Sequence, residues 1–260
     1  MASHFAVHGP LALTWDCLHH TRSSMRKSRR LNPSRVWLER EIEAFADSLA
    51  PGALVLDAGA GDQVYRPKFH RQEYESADFE QVDKAYAKST YVCDLTRIPV
   101  EDGRFDAIVF SQVMEHLPEP REAIRELRRV LKPGGKLFFS APFFYEEHEI
   151  PYDFFRYTQY AIRNMFEEAS FSVERLDWLE GYLGTLNYQL RRMIHHLPFR
   201  PTAMGGGFWA WFTLLSFIPL AVFAAITAYG SARCDSRRRL TDTGFPKNYL
   251  AIMVAEDPAD

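Results

Sequence analysis

The sequence predicts an α/β protein with a doubly wound, mainly parallel sheet of seven strands and an apolar helical insertion before the last strand. Three observations predict this class. Segments with strand character alternate with helical patterns along residues 34–178, which is typical of parallel strands joined by crossover helices. The nearly apolar run at 54–58 has the composition of a strand buried on both faces. An uncharged stretch at 201–232 separates this alternation from a last strand-like segment.

Composition limits the classes of function. The chain has 260 residues, 47% of them hydrophobic, which suits one α/β domain with an elaboration. A net charge of −3 gives no general attraction to nucleic acid, so we expect no nucleic-acid partner. The cysteines are far apart in a pattern without metal-ligand spacing, which predicts reduced cytosolic thiols and no metal site. No cationic segment precedes an apolar run near Met1, so no signal peptide is expected.

The elements follow in chain order from apolar spacing and from chain breakers. Ser34 is predicted to cap a helix that runs to about Leu49 and ends at Pro51-Gly52. Strands are predicted at residues 54–58, 73–78, 90–93, 105–110, 136–141, 171–178 and 248–255. Further helices are predicted at residues 62–71, 120–131 and 158–169, the last capped by Thr158. In such a sheet a ligand binds beyond the carboxyl ends of the strands.

The segment after the first strand, Leu56-Asp57-Ala58-Gly59-Ala60-Gly61, predicts a turn that lies against a ligand. Gly59 and Gly61 have no Cβ, so the turn can adopt positive φ and let a ligand approach closely. Val64 occupies the third glycine position of the G-x-G-x-x-G pattern of dinucleotide-binding proteins. An acid directly before the glycines indicates a ligand with a cationic end rather than a pyrophosphate.

Five segments in a fixed order carry a resemblance to a known family. They are the Gly59 turn, Asp78 at the end of the second strand, Cys93-Asp94-Leu95 with Ile98-Pro99, residues 105–117, and residues 129–135. Together they resemble the class I S-adenosylmethionine-dependent methyltransferases over roughly residues 50–180, which implies a Rossmann-like methyltransferase fold. The motif His148-Glu149-x-Pro-x-Asp-x-x-Arg-Tyr-Thr resembles a bacterial, type 11-like subgroup that is often associated with cell-surface glycans or secondary metabolites.

The resemblance implies S-adenosyl-L-methionine as the methyl donor. The donor-binding residues it implies are Asp57, Gly59, Gly61, Asp78, Phe79, Asp94, Leu95, Ser111, Gln112 and Val113. Asp57 is placed either to bind near the cationic amino end of the donor or to brace the turn. Asp78 is placed to accept both ribose hydroxyls, with Glu80 as the alternative partner. Asp94 is placed either to accept from the adenine amine or to cap a turn.

The acceptor side is predicted in the loop 148–158, after the fifth strand. The catalytic candidates are His148, Asp153, Arg156, Tyr157 and His116. His148 is the candidate general base, because an unperturbed imidazole titrates near physiological pH. Asp153 either orients His148 or forms a structural ion pair with Arg156. His116 either contacts substrate or donor, or is a hydrogen-bonded structural histidine.

The sequence divides into an N-terminal arm at 1–33, a methyltransferase domain at 34–180 and 245–260, and an apolar insertion at 181–244. Residues 208–229 are long enough to span a bilayer. Both flanks are basic and must return to one domain, so we expect a re-entrant hairpin broken at Pro219, or an in-plane anchor. Trp209 and Trp211 would then lie near the head groups. A lid over the acceptor pocket and a dimer interface are the alternatives.

The basic cluster at 22–30 is interpreted either as a solvated arm or as a segment attracted to anionic lipid. The sequence therefore predicts a methyltransferase at the cytoplasmic face of the membrane, which O-methylates a hydrophobic or lipid-linked small molecule or glycan. A homodimer is among the expected assemblies. The rival interpretations are a soluble natural-product methyltransferase whose insertion closes over the substrate, a non-catalytic donor-binding partner subunit, and a dehydrogenase, which Val64 disfavours.

Overall fold

The computed structural model describes residues 32–80 and 87–257, which contain one seven-stranded sheet covered by helices. The strands are β1 (Leu54–Ala58), β2 (Glu73–Asp78), β3 (Tyr91–Val92), β4 (Phe105–Ser111), β5 (Leu131–Pro142), β6 (Phe171–Trp178) and β7 (Asn248–Ala255). The α-helices are α1 (Pro33–Ser48), α2 (Pro120–Val130), α3 (Gln159–Glu167), α4 (Tyr182–His196) and α5 (Gly207–Asp235). Short 3₁₀ helices lie at Arg66–Lys68, Met114–His116 and Pro201–Met204.

The strand order in the sheet is β3-β2-β1-β4-β5-β7-β6. Strands β1 to β5 pair in parallel, and β7 runs antiparallel between β5 and β6. The predicted doubly wound, mainly parallel sheet is confirmed, with β3 shorter than expected and β5 beginning at Leu131. The order reverses between β1 and β4. The carboxyl ends of these two strands therefore open the crevice in which such sheets bind ligands.

Successive residues of the central strands face two separate apolar layers. Phe139 of β5 packs in one layer with Ile124 of α2 and Phe166 of α3. Its neighbour Phe138 packs in the opposite layer with Phe45 of α1. Adjacent residues of a strand point to opposite faces, so the sheet is buried on both sides. This two-sided burial is the reason that residues 107–110 of β4 and 137–141 of β5 are nearly continuous apolar runs.

The first helix begins earlier than predicted. Asn32, not Ser34, is its N-cap, because the Asn32 side chain accepts a hydrogen bond from a backbone N–H of the first turn at 3.3 Å. Pro33 fits the first helical position, where no backbone donor is needed. Ser34 therefore lies inside the helix, and its hydroxyl accepts instead from Lys247 Nζ at 3.3 Å.

The helix predicted at 62–71 is wrong. Gly61 and Gln63 have φ values of 53° and 55°, which take the chain out of the right-handed helical region. The only helical turn there is the 3₁₀ helix Arg66–Lys68, with proline inside it. The connection from β1 to β2 is therefore irregular, and it lies beside the glycine turn.

The apolar insertion forms a helical hairpin of α4 and α5. Asn187 Nδ2 donates to the Ala228 carbonyl at 2.7 Å, and alanines at every fourth position of α5 are buried beside it: Ala224, Ala228 and Ala232. The predicted break at Pro219 is wrong, because Gly207–Asp235 is one helix with this proline inside it. A proline removes one hydrogen bond of the helical ladder, and the packing on α4 holds the rest of the C-terminal half in place.

The exposed side of α5 is apolar. Within the described ranges it is the one helix long and apolar enough to cross a membrane, and 11% of its apolar window is buried. Phe208 and Trp209 are 76% and 75% exposed, and the exposed apolar residues continue to Tyr229. The basic cluster at 22–30 lies outside the residues that the structure describes.

Candidate active site

A pocket of about 210 Å³ lies at the carboxyl ends of β1, β2 and β4. Seven of the ten predicted donor-binding residues line it: Gly59, Asp78, Phe79, Asp94, Leu95, Gln112 and Val113. Sequence reasoning missed part of its far wall, which Tyr152 and Phe154 form together with Leu117. Tyr152 lies edge-on to Phe79 with ring centroids 6.2 Å apart. The aromatic residues of the loop after β5 could have indicated this wall, but the sequence predicts that loop as the acceptor side only.

The glycine turn brings the ends of β1 and β4 together. Gly59 has φ of 81°, and a Cβ added there would lie 2.4 Å from Val113 Cγ2. Gly59 N donates to Ala77 O of β2 at 2.8 Å. Gly61 has φ of 53°, and a Cβ there would meet no atom within 4 Å. Gly59 is thus required both by close packing and by its positive φ, and Gly61 by its positive φ alone.

Asp78 and Asp94 combine pocket lining with local structure. Asp78 Oδ2 accepts from Gly61 N at 2.7 Å, and its Oδ1 accepts from Glu80 N at 2.9 Å. Asp94 Oδ1 accepts from the backbone N–H of Thr96 at 2.8 Å and from its hydroxyl at 2.9 Å. Each carboxylate oxygen has further lone pairs. Both acids can therefore hold their turns and still accept from a ligand.

Two of the predicted donor-binding side chains lie behind the pocket. Asp57 is buried and accepts a hydrogen bond from the Tyr74 hydroxyl, and burial raises the pKa of the Asp57 carboxyl to about 7. Ser111 Oγ lies 2.8 Å from Ser140 Oγ and 3.5 Å from Tyr65 Oη. The structure thus places Asp57 as a brace of the turn and Ser111 in a hydroxyl cluster under the crevice.

The loop after β5 is held by one ion pair. Arg156 donates to both oxygens of Asp153, at 2.6 and 2.8 Å, and also to the carbonyls of Tyr145 and Glu146. The hydrogen bonds from Arg156 lower the pKa of Asp153 to about 2. Asp153 Oδ2 also accepts from the backbone N–H of His148 at 2.8 Å. Asp153 and Arg156 therefore fold the loop rather than face the pocket.

Tyr157 also stabilises the loop after β5. Its hydroxyl donates to Met114 O at 3.1 Å, and burial raises its pKa. This bond ties the loop after β5 to the turn after β4. Thr158 caps α3 as predicted, with its hydroxyl accepting from Ala161 N at 3.3 Å.

A buried acid and two histidines meet beside the pocket. Glu115, His116 and His148 present ligand atoms that all lie within 4.8 Å of one another. His116 lines the pocket, and its ring lies edge-on to His148 with centroids 4.6 Å apart. Glu115 is fully buried, and burial raises the pKa of its carboxyl to about 8. Burial also lowers the pKa of His116, which favours the neutral imidazole.

A second cavity of about 480 Å³ lies between α1, α4 and the loop after β5. Its lining is cationic through Arg35, Arg191 and Arg192 and also includes Lys247 and His195, against one carboxylate, Glu146, which pairs with Arg192. Lys247 Nζ is buried 4.6 Å from the ring centroid of Tyr145. The Tyr145 ring in turn contacts His148 at 4.9 Å between centroids. Contacting rings therefore link this cavity to the donor-side pocket.

The segment that carries most of the pocket lining is similar to known proteins. Residues 55–139 match the family described as Methyltransferase domain. The Ubiquinone biosynthesis O-methyltransferase of Acinetobacter baylyi is 28% identical over 145 residues, which cover 50% of this chain and 58% of that protein. The Demethylmenaquinone methyltransferase of Corynebacterium glutamicum is 33% identical over 117 residues, which cover 42% of this chain and 50% of that protein. The chain thus spans about half the length of these curated relatives.

The fold is also shared with solved structures. A complex between the Haloferax volcanii Trm112 methyltransferase activator and a methyltransferase contains a chain with TM-score 0.54 and 18% identity, which covers 92% of this chain and 95% of that chain. Similarity at this level of identity shows the fold. The reaction depends on the residues of the site and not on the fold.

Proposed function

We propose that this chain, which belongs to the class I S-adenosylmethionine-dependent methyltransferases, transfers a methyl group from S-adenosylmethionine to a hydroxyl oxygen of a hydrophobic or lipid-linked acceptor. The observation that carries the donor assignment is the pocket at the strand-order reversal. It combines the Gly59 turn with two carboxylates, Asp78 and Asp94, and it offers no third glycine for a pyrophosphate.

The pocket residues match the chemistry of this donor. The remaining lone pairs of Asp78 can accept from two ribose hydroxyls, and those of Asp94 from the adenine amine. Leu95 and Phe79 supply apolar walls for the base. The turn at Gly59 leaves space for the methionine part. Methyl transfer is an in-line displacement, so the pocket has to hold the donor methyl roughly 3 Å from the acceptor oxygen.

The acceptor side is proposed at His116 and His148, where the donor pocket meets the cationic cavity. In this proposal Asp153, Arg156 and Tyr157 position the loop that carries His148. The curated relatives are named for ubiquinone biosynthesis and demethylmenaquinone, which supports a hydrophobic acceptor. A glycan carried on a lipid phosphate would suit the cationic cavity equally, because arginine and lysine pair with phosphate.

The exposed face of α5 supports a place at the membrane surface. Its 29 residues span about 43 Å at 1.5 Å per residue, against roughly 30 Å of bilayer hydrocarbon. The helix starts at the far end of the hairpin and returns to the domain at Asp235, where Trp37 Nε1 donates to its carbonyl at 3.2 Å. We infer that the insertion 181–244 enters one leaflet and that the methyltransferase domain stays on the cytoplasmic side.

Calorimetric titration with S-adenosylhomocysteine and with NAD tests the donor assignment. We expect S-adenosylhomocysteine to bind and NAD to show no heat. Asp78→Ala should weaken binding at least about tenfold, since hydrogen bonds to a charged group contribute about 1.5–3 kcal/mol. Asp47→Ala, an exposed acid on α1, is the matched control. Binding of NAD without S-adenosylhomocysteine would refute the proposal.

Two measurements separate the rivals. Transfer of radiolabelled methyl from S-adenosylmethionine into a bacterial lipid extract tests catalysis and acceptor class together. Label in the polar fraction alone would favour the soluble natural-product enzyme, and donor binding without any transfer would favour the partner subunit. Flotation with anionic vesicles tests the membrane proposal, which a protein that stays fully soluble and monomeric would contradict.

A further inference from the structure

The acid and two histidines beside the donor pocket have the composition of a metal site. Glu115 and His116 lie in the 3₁₀ helix after β4, and His148 lies in the loop after β5. Glu115 Oε1 is 3.8 Å from His116 Nε2, and all three ligand atoms are within 4.8 Å of one another. Two ligands at about 2.1 Å from one ion are about 3.0–3.4 Å apart. A contraction of roughly 1.8 Å or less in each of these distances would therefore close the site.

Both histidines are oriented by their other ring nitrogen. His116 Nδ1 faces the Tyr152 carbonyl oxygen, so it carries the proton and donates it. His148 Nδ1 lies 3.2 Å from the Glu146 carbonyl and 3.3 Å from Asp153 Oδ2, and it donates in the same way. The lone pair of each Nε2 is left for another partner. Metal-binding histidines almost always have this arrangement, in which a carbonyl or carboxylate fixes the tautomer.

The environment of Glu115 is evidence for the site that does not depend on the histidines. Its side chain is fully buried, and neither carboxylate oxygen has a hydrogen bond in the described part of the chain. A buried carboxylate without a partner is costly. The guanidinium of Arg156, whose charge partly offsets the effect of burial on the pKa of Glu115, is bonded to Asp153 instead. The fold thus retains a buried acid that has one carboxylate oxygen within 4.8 Å of a ring nitrogen of each histidine and no hydrogen bond among the described residues.

We propose that Glu115, His116 and His148 bind one divalent cation of the Mn²⁺ to Zn²⁺ series. Two imidazole nitrogens and one carboxylate suit these ions, and three protein ligands leave positions open for a substrate. This ligand set replaces the sequence-based expectation of no metal. That expectation looked for cysteine and histidine spacing along the chain, whereas the three ligands come together only through the fold.

The cation would bind the acceptor hydroxyl, and this role rests on the proposed methyl transfer. A divalent ion lowers the pKa of a coordinated hydroxyl, so the proton leaves to solvent before the oxygen attacks. The methyl carbon then forms its bond to that oxygen as its bond to sulfur breaks, and the sulfonium becomes a neutral thioether. His116 lines the donor pocket, which puts the ion at the boundary between donor and acceptor.

The test is metal binding by the full chain after chelator treatment and gel filtration. CoCl₂ titration is followed by calorimetry and by the visible absorption of Co²⁺, with Mn²⁺ and Zn²⁺ as competitors. We expect one equivalent to bind. Glu115→Gln and His148→Gln should each weaken it by at least about 100-fold, beyond the usual effect of outer-shell changes. Glu115→Gln replaces a buried carboxyl group that has no hydrogen-bond partner by a group of nearly the same shape, so its thermal melting should stay cooperative.

The control removes a second pair of histidines whose rings contact each other, His195 and His196 on α4. The double variant His195→Gln/His196→Gln should bind Co²⁺ like the wild type. Equal affinity in the wild type and in both ligand variants would overturn the proposal, and so would loss of binding in the control only. S-adenosylhomocysteine titration on the same samples is independent of the metal. A failure of the donor assignment is thereby distinguished from a failure of the cation site.

Discussion

Of the two glycines in the turn, Gly59 is the one whose replacement by alanine should distort the donor pocket more. The new Cβ would lie 2.4 Å from Val113 Cγ2 and 2.6 Å from Cγ1, so rotation of the valine cannot relieve both contacts. Overpacking of this kind costs about 1–3 kcal/mol. The residue also has φ of 81°, which costs an alanine about 1–2 kcal/mol. We expect Gly59→Ala to lower the free energy of unfolding by about 2–5 kcal/mol.

Gly61→Ala is the matched control for this prediction. Gly61 has φ of 53°, but its Cβ would meet no atom within 4 Å. It should therefore cost about 1–2 kcal/mol, the conformational part alone. Urea unfolding of the two variants measures the difference. Titration with S-adenosylhomocysteine should show at least tenfold weaker binding for Gly59→Ala, because Val113 lines the donor pocket.

A double-mutant cycle with Val113→Ala decides whether the clash is the cause. Trimming Val113 removes both Cγ atoms that the new methyl group would meet. The destabilisation by Gly59→Ala should then be smaller in the Val113→Ala background by at least about 1 kcal/mol, a coupling typical of contacting residues. Equal destabilisation in both backgrounds, or a Gly61→Ala variant as unstable as Gly59→Ala, would refute the steric reasoning.

Three further predictions concern Asp57 behind the glycine turn, Glu180 beside β7 and the apolar helix α5. The pKa of Asp57 is about 7 in the fold against 3.8 for the free side chain, so folded chains retain its proton and stability falls by up to about 4 kcal/mol as pH rises from 4 to 7. Asp57→Asn should remove this decrease in urea unfolding at pH 4 and pH 8, and an unchanged slope would contradict it. Glu180 accepts three hydrogen bonds, from the backbone N–H groups of Lys247 and Asn248 and from the Asn248 side chain. Glu180→Ala should cost about 3 kcal/mol or more, whereas exposed Glu174→Ala should change stability by less than about 0.5 kcal/mol. The double variant Trp209→Glu/Trp211→Glu should lose at least tenfold in flotation with anionic vesicles while its unfolding midpoint stays the same, and retained flotation would locate membrane contact elsewhere.

Much of the fold was predictable because its signals are local. The strands 171–178 and 248–255 were predicted to the residue, since apolar composition and breakers bound them on both sides. The first helix was misassigned by two positions, because Asn32 and Ser34 are both good caps and only the placement of Pro33 decides between them. The helix expected at 62–71 does not form because Gly61 and Gln63 adopt the left-handed conformation, which is unusual for a residue such as Gln63 that is not glycine. A propensity pattern carries no sign of such a conformation.

The site was less predictable than the fold because its chemistry depends on contacts between distant segments. The motif order predicted which residues follow each strand, and most of these line one pocket. It gave no indication that Asp153 and Arg156 would bond each other and the loop carbonyls instead of facing a ligand. Nor could it show that Glu115 would be buried without a partner beside His148, which lies 33 positions further along the chain.

The position of the hairpin links the two halves of the proposed function. β6 runs parallel to β5, so α4 leaves the sheet at the same edge as the donor pocket. Tyr188 of α4 stacks on Tyr145 at 5.2 Å between ring centroids, and Tyr145 contacts His148 at 4.9 Å. An apolar helix in the membrane surface would therefore hold the acceptor side of the site toward the lipid. A lipid-linked acceptor could then reach the histidines through the cationic cavity, without leaving the bilayer for bulk water, where exposure of its chain costs about 0.8 kcal/mol per methylene.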